Sequence, residues 1–302
     1  MSNNKSIVVL LASFNGEQFL SEQIESILLQ KNVTLDLFIS DDGSTDDTID
    51  ILNRFHKKFG NIKLLPKRPK DVPGPAKNFY YLLNSIDYSK YEFVALADQD
   101  DIWPEFRLSR AIECTLSSNA VAYSSDFINF YSNRKCKYYK KSNRQMDYDF
   151  LFETPGPGCS FVMTKDFALK VTDLLKQEPE LSNFKYHDWL IYAIARSFNL
   201  KWVIDDSPNL FYRQHKNNFI GANSNFYGFY LRVSQILDGS WPDNVWFLYQ
   251  NLYKILGNNL NITKHNFPLY FLLRFWKTRR DIKHKLLMVL FLLMMSLRRV
   301  NQ

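Results

Sequence analysis

The sequence predicts an α/β protein: a domain on a mostly parallel sheet, followed by a helical, basic, amphipathic C-terminal extension. Three observations predict it. Short apolar runs alternate with segments whose apolar residues recur at helical spacing, the pattern of strand–helix–strand units. Three of the apolar runs end in polar clusters, where ligands bind in sheets of this kind. Charge is also uneven: nine Lys/Arg and one acid, Asp281, lie beyond residue 260, so a nearly neutral body carries a basic tail. With 302 residues, 46% of them apolar, the chain has enough material for a sizeable core, which argues against a mainly disordered protein.

The elements follow in order. Ile7 to Ala12 is continuously apolar and reads as a buried parallel strand ending at Ser13-Phe14-Asn15-Gly16. Glu17 to Gln30 carries Phe19, Leu20, Ile24, Ile27 and Leu28 at helical spacing. Leu35 to Ser40 is the second strand and ends at Asp41-Asp42-Gly43-Ser44, after which Thr45 to Phe59 resumes helical spacing. Ile62 to Leu65 is a short strand, and Pro66 to Gly74 is a Pro- and Lys-rich loop. A helix begins at Lys77; Tyr91 to Ala97 is the next strand and ends at Asp98-Gln99-Asp100-Asp101. The stretch from Val121 to Gly158 is irregular and tyrosine-rich. A helix over Phe184 to Phe198 and a strand over Lys201 to Ile204 follow, and beyond about Phe226 the pattern is all helical. The domain boundary is expected between residues 222 and 223, giving a body of 1–222 and a C-terminal region of 223–302.

Cys114, Cys136 and Cys159 show no CxxC spacing, and their odd number fits unpaired thiols. Ile7 to Ala12 is too short for a signal peptide and lacks a cleavage site. The longest uncharged apolar run, Leu286 to Leu297, would span ~18 Å as a helix, short of the ~30 Å hydrocarbon core. No transmembrane helix is expected. With Arg274, Lys277, Lys283, Lys285 and Arg298 around it, the segment suits a helix lying in a membrane interface; packing on the body is the alternative. Nucleic-acid binding does not suit a tail broken by long aliphatic runs.

Asp98-Gln99-Asp100-Asp101 places three carboxylates in four residues. Such charges repel, and a divalent cation would relieve them; hard oxygen ligands suit Mg²⁺ or Mn²⁺ carrying a diphosphate. A solvated acidic turn is the plain alternative. The Asp41 cluster reads either as a carboxylate that accepts from a nucleobase or ribose, or as ordinary turn and capping chemistry. No GxGxxG supports a dinucleotide enzyme, and Ile102 stands where an EF-hand needs a ligand. A nucleotidyltransferase would want a Gly- and Lys-rich phosphate loop near the N-terminus, which Ser13-Phe14-Asn15-Gly16 is not.

Taken together, the ordered motifs resemble the family 2 inverting glycosyltransferases of the GT-A fold. They are Ala12 to Gly16, Asp41 to Asp46, Lys77-Asn78-Phe79, Ala97 to Trp103, His187-Asp188-Trp189, and Tyr212-Arg213-Gln214-His215 with Asn218 and Gly221. The Ala-Asp-Gln-Asp-Asp-Ile-Trp, His-Asp-Trp and Tyr-Arg-Gln-His blocks resemble the bacterial rhamnosyltransferase branch. The resemblance implies a dTDP- or UDP-linked sugar donor, foremost dTDP-β-L-rhamnose, and a saccharide acceptor, lipid-linked, in cell-surface polysaccharide synthesis. It implies a cytoplasmic enzyme peripheral on the inner face of the membrane. The alternatives are a transferase using another nucleotide sugar, such as a UDP-hexose, and a non-catalytic, membrane-associated saccharide-binding protein.

By the same resemblance, Ser13, Phe14 and Asn15 line the nucleotide pocket with Gln99, and Asp41 accepts from the base. Asp98 faces the ribose, and Asp100 and His215 hold the divalent metal. Asp188 is the general base that inverting transfer needs, since an acceptor hydroxyl attacks well only as its proton leaves. Asp42, Lys77, Asn78 and Asp101 either contact ligands or support loops; Trp103 and Trp189 either stack on sugar or belong to the core. Two stretches depart from the family pattern: Gly156-Pro157-Gly158-Cys159-Ser160, and Pro66 to Pro75 with its four prolines.

Overall fold

The computed structural model describes residues 4–69, 74–215, 234–236, 238–257 and 262–298. Strands β1 (Lys5–Ser13), β2 (Val33–Asp41), β3 (Ile62–Leu64) and β4 (Phe93–Ala97) pair in parallel in the order β3-β2-β1-β4. The sheet continues through β8 (Val162–Thr164), β5 (Ala122–Ser125) and β9 (Trp202–Asp205), with β8 antiparallel to both of its neighbours. Seven strands thus form a mostly parallel sheet, as expected. Ile7 to Leu11 are fully buried because a parallel sheet is covered on both faces, which is why this strand reads as an unbroken apolar run.

Helices α1 (Leu20–Leu28), α2 (Thr48–Lys58), α3 (Pro75–Ser85), α4 (Arg107–Ser117), α5 (Lys165–Gln177) and α6 (His187–Ser197) fill the connections. Both α1 and α2 begin three residues later than the apolar spacing suggests. The missing residues are used in the loops: Phe19 and Leu20 donate backbone N–H groups to the Gly16 carbonyl, and residues 45–47 bond across to the β1 loop.

The segment read as irregular holds strands after all. β6 (Phe127–Tyr131) and β7 (Cys136–Tyr139) form a second sheet with β10 (Phe211–Gln214), in the order β10-β6-β7. Each is only four or five residues long, and buried Asp126 separates β5 from β6, so no alternation develops in the sequence. The Asp126 carboxylate accepts from Tyr138 Oη, from the backbone N–H groups of Lys141 and Ser142, and from Ser142 Oγ, fixing the loop after β7.

Contacts divide the chain into two units: residues 1–142, 155–191 and 200–215, and residues 143–154, 192–199 and 216–302. The expected boundary between 222 and 223 lies outside the described residues, as do Asn218 and Gly221. The second unit contains helices Ser240–Ile255, Phe267–Leu272 and Ile282–Arg298. Its core is aromatic, with Phe152, Tyr249, Phe267 and Phe271 in mutual contact, and beside it buried Asp149 accepts from Tyr192 (2.9 Å) and pairs with Arg196 (3.1 Å). The last helix has two apolar faces: Met288, Phe291, Leu292 and Met295 are buried, whereas Ile282, Leu286, Leu290 and Leu293 are exposed. Among the described residues no helix is long and apolar enough to cross a membrane. All three cysteines are free.

Candidate functional site

The carboxyl ends of β1, β2 and β4 bring the polar clusters together, and two differently built walls result. The first is laced from the β1 and β2 loops. Asp41 Oδ1 accepts from the N–H groups of Gly43 (2.9 Å) and Ser44 (2.8 Å), while Oδ2 accepts from Ser13 Oγ (2.9 Å) and Ser44 Oγ (2.5 Å). Asn15 sits at φ +48°, a left-handed conformation that asparagine tolerates, and its Oδ1 accepts from Thr45 N–H at 2.8 Å. Thr48 Oγ1 accepts from Gly16 N–H (2.7 Å) and donates to Asp46 Oδ1 (2.5 Å). Phe14 stands out of this lacework, 49% exposed.

Gln99 is the clip between this wall and β4. Its Oε1 accepts from Phe14 N–H (2.7 Å) and its Nε2 donates to Phe14 O (2.9 Å). Gly16 leaves room for it: a Cβ there would lie 2.4 Å from Gln99 Oε1, and the clip would have to shift. Asp42 hangs the proline-rich loop: it pairs with buried Arg68 (2.6 Å) and accepts from Gly74 N–H (2.8 Å). Asn78 is buried and donates to Ser40 O at 2.9 Å. Of the two readings open for Asp42 and Asn78, their contacts here are those of loop support. Lys77 is half-buried at the start of α3.

The second wall is acidic. Asp98, Asp101 and Cys159 place ligand-type atoms within 4.8 Å of one another. Burial, then the charge of Asp100, pushes the Asp98 carboxyl up to about 7, and the same two causes hold Asp101 well above its usual range. Burial also raises the Cys159 thiol, so it keeps its proton and serves these carboxylates as a hydrogen-bonding floor. Below lies buried Arg107, whose guanidinium stacks 3.7 Å from the Trp103 ring and donates to Cys159 O. Asp100 points elsewhere: its Oδ2 is 2.8 Å from His215 Nε2.

Asp188 lies in the first turn of α6, near enough to raise Asp98 and Tyr80 electrostatically. Burial raises its own carboxyl to about 6, against the Trp189 N–H that Oδ1 accepts (2.8 Å) and the charge of Lys141. His187 stacks on Phe79 with ring centroids 4.0 Å apart, and burial lowers it to about 3, so it is neutral. A Cβ on Gly158 would meet His187 Nε2 at 2.3 Å, which accounts for a glycine in the departing Gly-Pro-Gly stretch.

Three expectations need correction. Trp103, expected as a sugar contact, is 3% exposed and belongs to the main core cluster, because Arg107 covers its ring. Trp189 is likewise buried, packed on Phe184 and Tyr186. Asp101 is fully buried and accepts from Arg213 N–H (3.1 Å), so it braces the loop and does not face an acceptor. Sequence reasoning overlooked Cys159, Lys141, Arg107 and the role of Arg213. Arg213 had a signal in its place in the Tyr-Arg-Gln-His block, and Cys159 in the departing Gly-Pro-Gly-Cys-Ser stretch.

Comparison with known proteins places the chain in a family. The glycosyl transferase family 2 model matches residues 8–171. The dTDP-rhamnosyl transferase RfbG of Shigella flexneri is 34% identical over 287 residues, 94% of this chain and 99% of that protein. Glycosyltransferase GlyG of Streptococcus pneumoniae is 24% identical, covering 87% of this chain and 74% of its own. In fold, the chain is similar to S. aureus TarS 1–349 solved with UDP (TM-score 0.54, 14% identity, 98% of this chain and 92% of that one). It is similar also to mannosyltransferase PcManGT of Pyrobaculum calidifontis, solved with GDP-Man and Mn²⁺ (TM-score 0.50, 13% identity, 97% and 86%). The chain belongs to glycosyl transferase family 2, has the GT-A fold, and is a glycosyltransferase.

Proposed function

We propose that this family 2 glycosyltransferase moves L-rhamnose from dTDP-β-L-rhamnose, with inversion, onto a lipid-linked saccharide in cell-surface polysaccharide synthesis. The donor assignment is supported by the near full-length similarity to a dTDP-rhamnosyl transferase. The observation that carries the chemistry is Asp188, a carboxylate with a pKa raised to about 6 beside the acidic wall. A base should be matched to its working pH: ionised at neutrality, yet basic enough to take the acceptor proton as attack proceeds. Asp98 faces the ribose. Asp41 has four bonds accepted already, so reading the base through it means exchanging one of them, a hydroxyl of Ser13 or Ser44 being able to rotate away.

Asp100 and His215 would hold Mg²⁺ or Mn²⁺. The donor set fits, a hard carboxylate oxygen and an imidazole nitrogen 2.8 Å apart beside Asp98, whose carboxyl burial and the Asp100 charge raise. An ion bound there supplies positive charge to the departing diphosphate. The exposed face of Ile282, Leu286, Leu290 and Leu293, with the basic residues around it, would rest on an anionic membrane where a lipid-linked acceptor lies. High salt should weaken vesicle binding without abolishing it, because the apolar face is not screened; indifference to anionic vesicles at low salt would remove the membrane part.

The test of function is nucleoside diphosphate release from a panel of nucleotide sugars. Release from dTDP-rhamnose well above that from UDP-hexoses is expected. Turnover of a UDP-hexose alone would move the donor assignment, and no release from any donor would favour the non-catalytic reading.

A further inference from the structure

We propose that Arg213 is a positioning residue that holds Asp100 and His215 together as one preassembled cation site. The inference rests on the reading of that pair as the metal ligands.

Arg213 is bound on every side. Its guanidinium carbon lies 4.3 Å from the Phe19 ring centroid and 4.6 Å from that of Phe130, so α1's approach and β6 sandwich it between two aromatic faces. Its Nε donates to the Asp100 carbonyl at 2.7 Å, and its Nη2 pairs with Glu22. Its backbone N–H donates to Asp101 Oδ1 at 3.1 Å. Two residues before Arg213, Phe211 exchanges backbone hydrogen bonds of 3.0 and 3.1 Å with Ile102. The acidic loop after β4 and the end of β10 are therefore joined through main chain, through the Asp101 carboxylate and through the Arg213 side chain.

The geometry carries the inference to the ligands. Residues two apart in an extended chain point to the same side, so Arg213 and His215 both address the Asp100 segment. Arg213 grips the Asp100 carbonyl while His215 meets the Asp100 carboxylate at 2.8 Å. The same Phe19 ring that covers Arg213 lies 5.0 Å from the His215 ring. A planar, fork-shaped cation can stack on two rings and donate in its own plane at the same time; lysine has neither the plane nor the fork. Partners that orient a metal ligand are worth about 10–100-fold in metal affinity; Arg213 has that relation to Asp100 through its carbonyl, and it reaches His215 through the Phe19 ring that both share.

Mn²⁺ binding to the full-length protein in the presence of dTDP or UDP, measured by calorimetry or electron paramagnetic resonance, tests this without catalysis. Arg213→Ala and Arg213→Lys should each weaken Mn²⁺ about 10–100-fold. Nucleotide affinity without metal should stay within about threefold, and excess Mn²⁺ should recover much of the lost kcat. Glu22→Gln, which removes only the largely exposed partner of Arg213, should change Mn²⁺ binding less than about threefold. Wild-type Mn²⁺ affinity in a folded Arg213→Lys protein would overturn the inference, even if Arg213→Ala fails to fold. Absence of Mn²⁺ binding to the wild type would overturn the metal reading itself, and this inference with it.

Discussion

The wall laced from β1 and β2 and the acidic wall around Asp98 and Asp188 are built on opposite principles. In the first, each carboxylate has its donors: Asp41 accepts four hydrogen bonds, Asp42 has Arg68 and the Gly74 N–H, and Asp46 has Thr48 and the Glu17 N–H. In the second, burial and then like charge lift Asp98 to about 7, and burial alone lifts Asp188 to about 6. The difference separates two tasks. A surface that recognises a nucleotide benefits from being rigid before the ligand arrives, whereas a group that takes a proton must hold an unrelieved demand for one. The acidic wall is thus destabilised relative to what its residues would otherwise allow, as functional sites often are.

Asp188→Asn breaks this contrast most sharply. It keeps the shape and removes the base, so kcat should fall roughly 10²–10⁴-fold while nucleotide binding changes little. Stability should move the other way. Asp188 has its folded pKa raised above its ordinary value of 3.8, so ionising it opposes folding. That penalty is absent below pH 3.8, grows as pH rises to about 6, and is complete above it. The asparagine variant should therefore gain up to about 3 kcal/mol at pH 7 and nothing near pH 3. In the wild type, kcat/KM should fall about tenfold per unit below pH 6. Urea melts at the two pH values, beside the rate profile, check both signs; a variant that is less stable at pH 7 would mean Asp188 is a structural cap.

Asp41→Ala sharpens the other half. It leaves the Ser13 and Ser44 hydroxyls and two turn N–H groups without their acceptor. Partly buried donors stripped of partners cost about 1–3 kcal/mol, so this variant should lose stability by that order. Its transfer defect should appear in donor KM more than in kcat. A kcat loss at unchanged donor KM would place Asp41 with the acidic wall.

The two walls were not equally legible in the sequence. Strand ends such as Asp41 and Asp98 announce themselves because a buried apolar run stops at a carboxylate. What those carboxylates touch is set by residues far along the chain: Arg68 on Asp42, Cys159 under Asp98, Lys141 near Asp188, Arg213 on Asp100. No local spacing encodes such meetings. The short strands β6 and β7 were missed because four or five residues show no period, and Trp103 was misplaced because an aromatic beside an acidic motif reads alike whether it faces a ligand or, as here, an arginine. The Gly-Pro-Gly departure was visible but unexplained until His187 was seen against Gly158.

Asn15→Gly should have the smallest effect, and it isolates the lacing from the backbone it holds. Asn15 has a φ of +48°, which glycine adopts without strain, so the substitution keeps the turn accessible. It deletes one acceptor, the Oδ1 that takes the Thr45 N–H at 2.8 Å, and it leaves the Asn15 N–H bond to Ser44 Oγ available. The exposed Thr45 N–H regains a partner from water, so the loss should be close to one net hydrogen bond, about 0.5–1.5 kcal/mol. Added chain entropy in the unfolded state acts in the same direction by a few tenths to about 1 kcal/mol. Donor KM should rise no more than a few-fold, because Asp41 still orders Ser44 from below. Asn15→Ala separates the two contributions: it loses the same acceptor and adds left-handed strain, so it should be the less stable of the pair. Equal stability of the two would mean the turn relaxes to another conformation, and the rigidity ascribed to this wall would then rest on Asp41 alone.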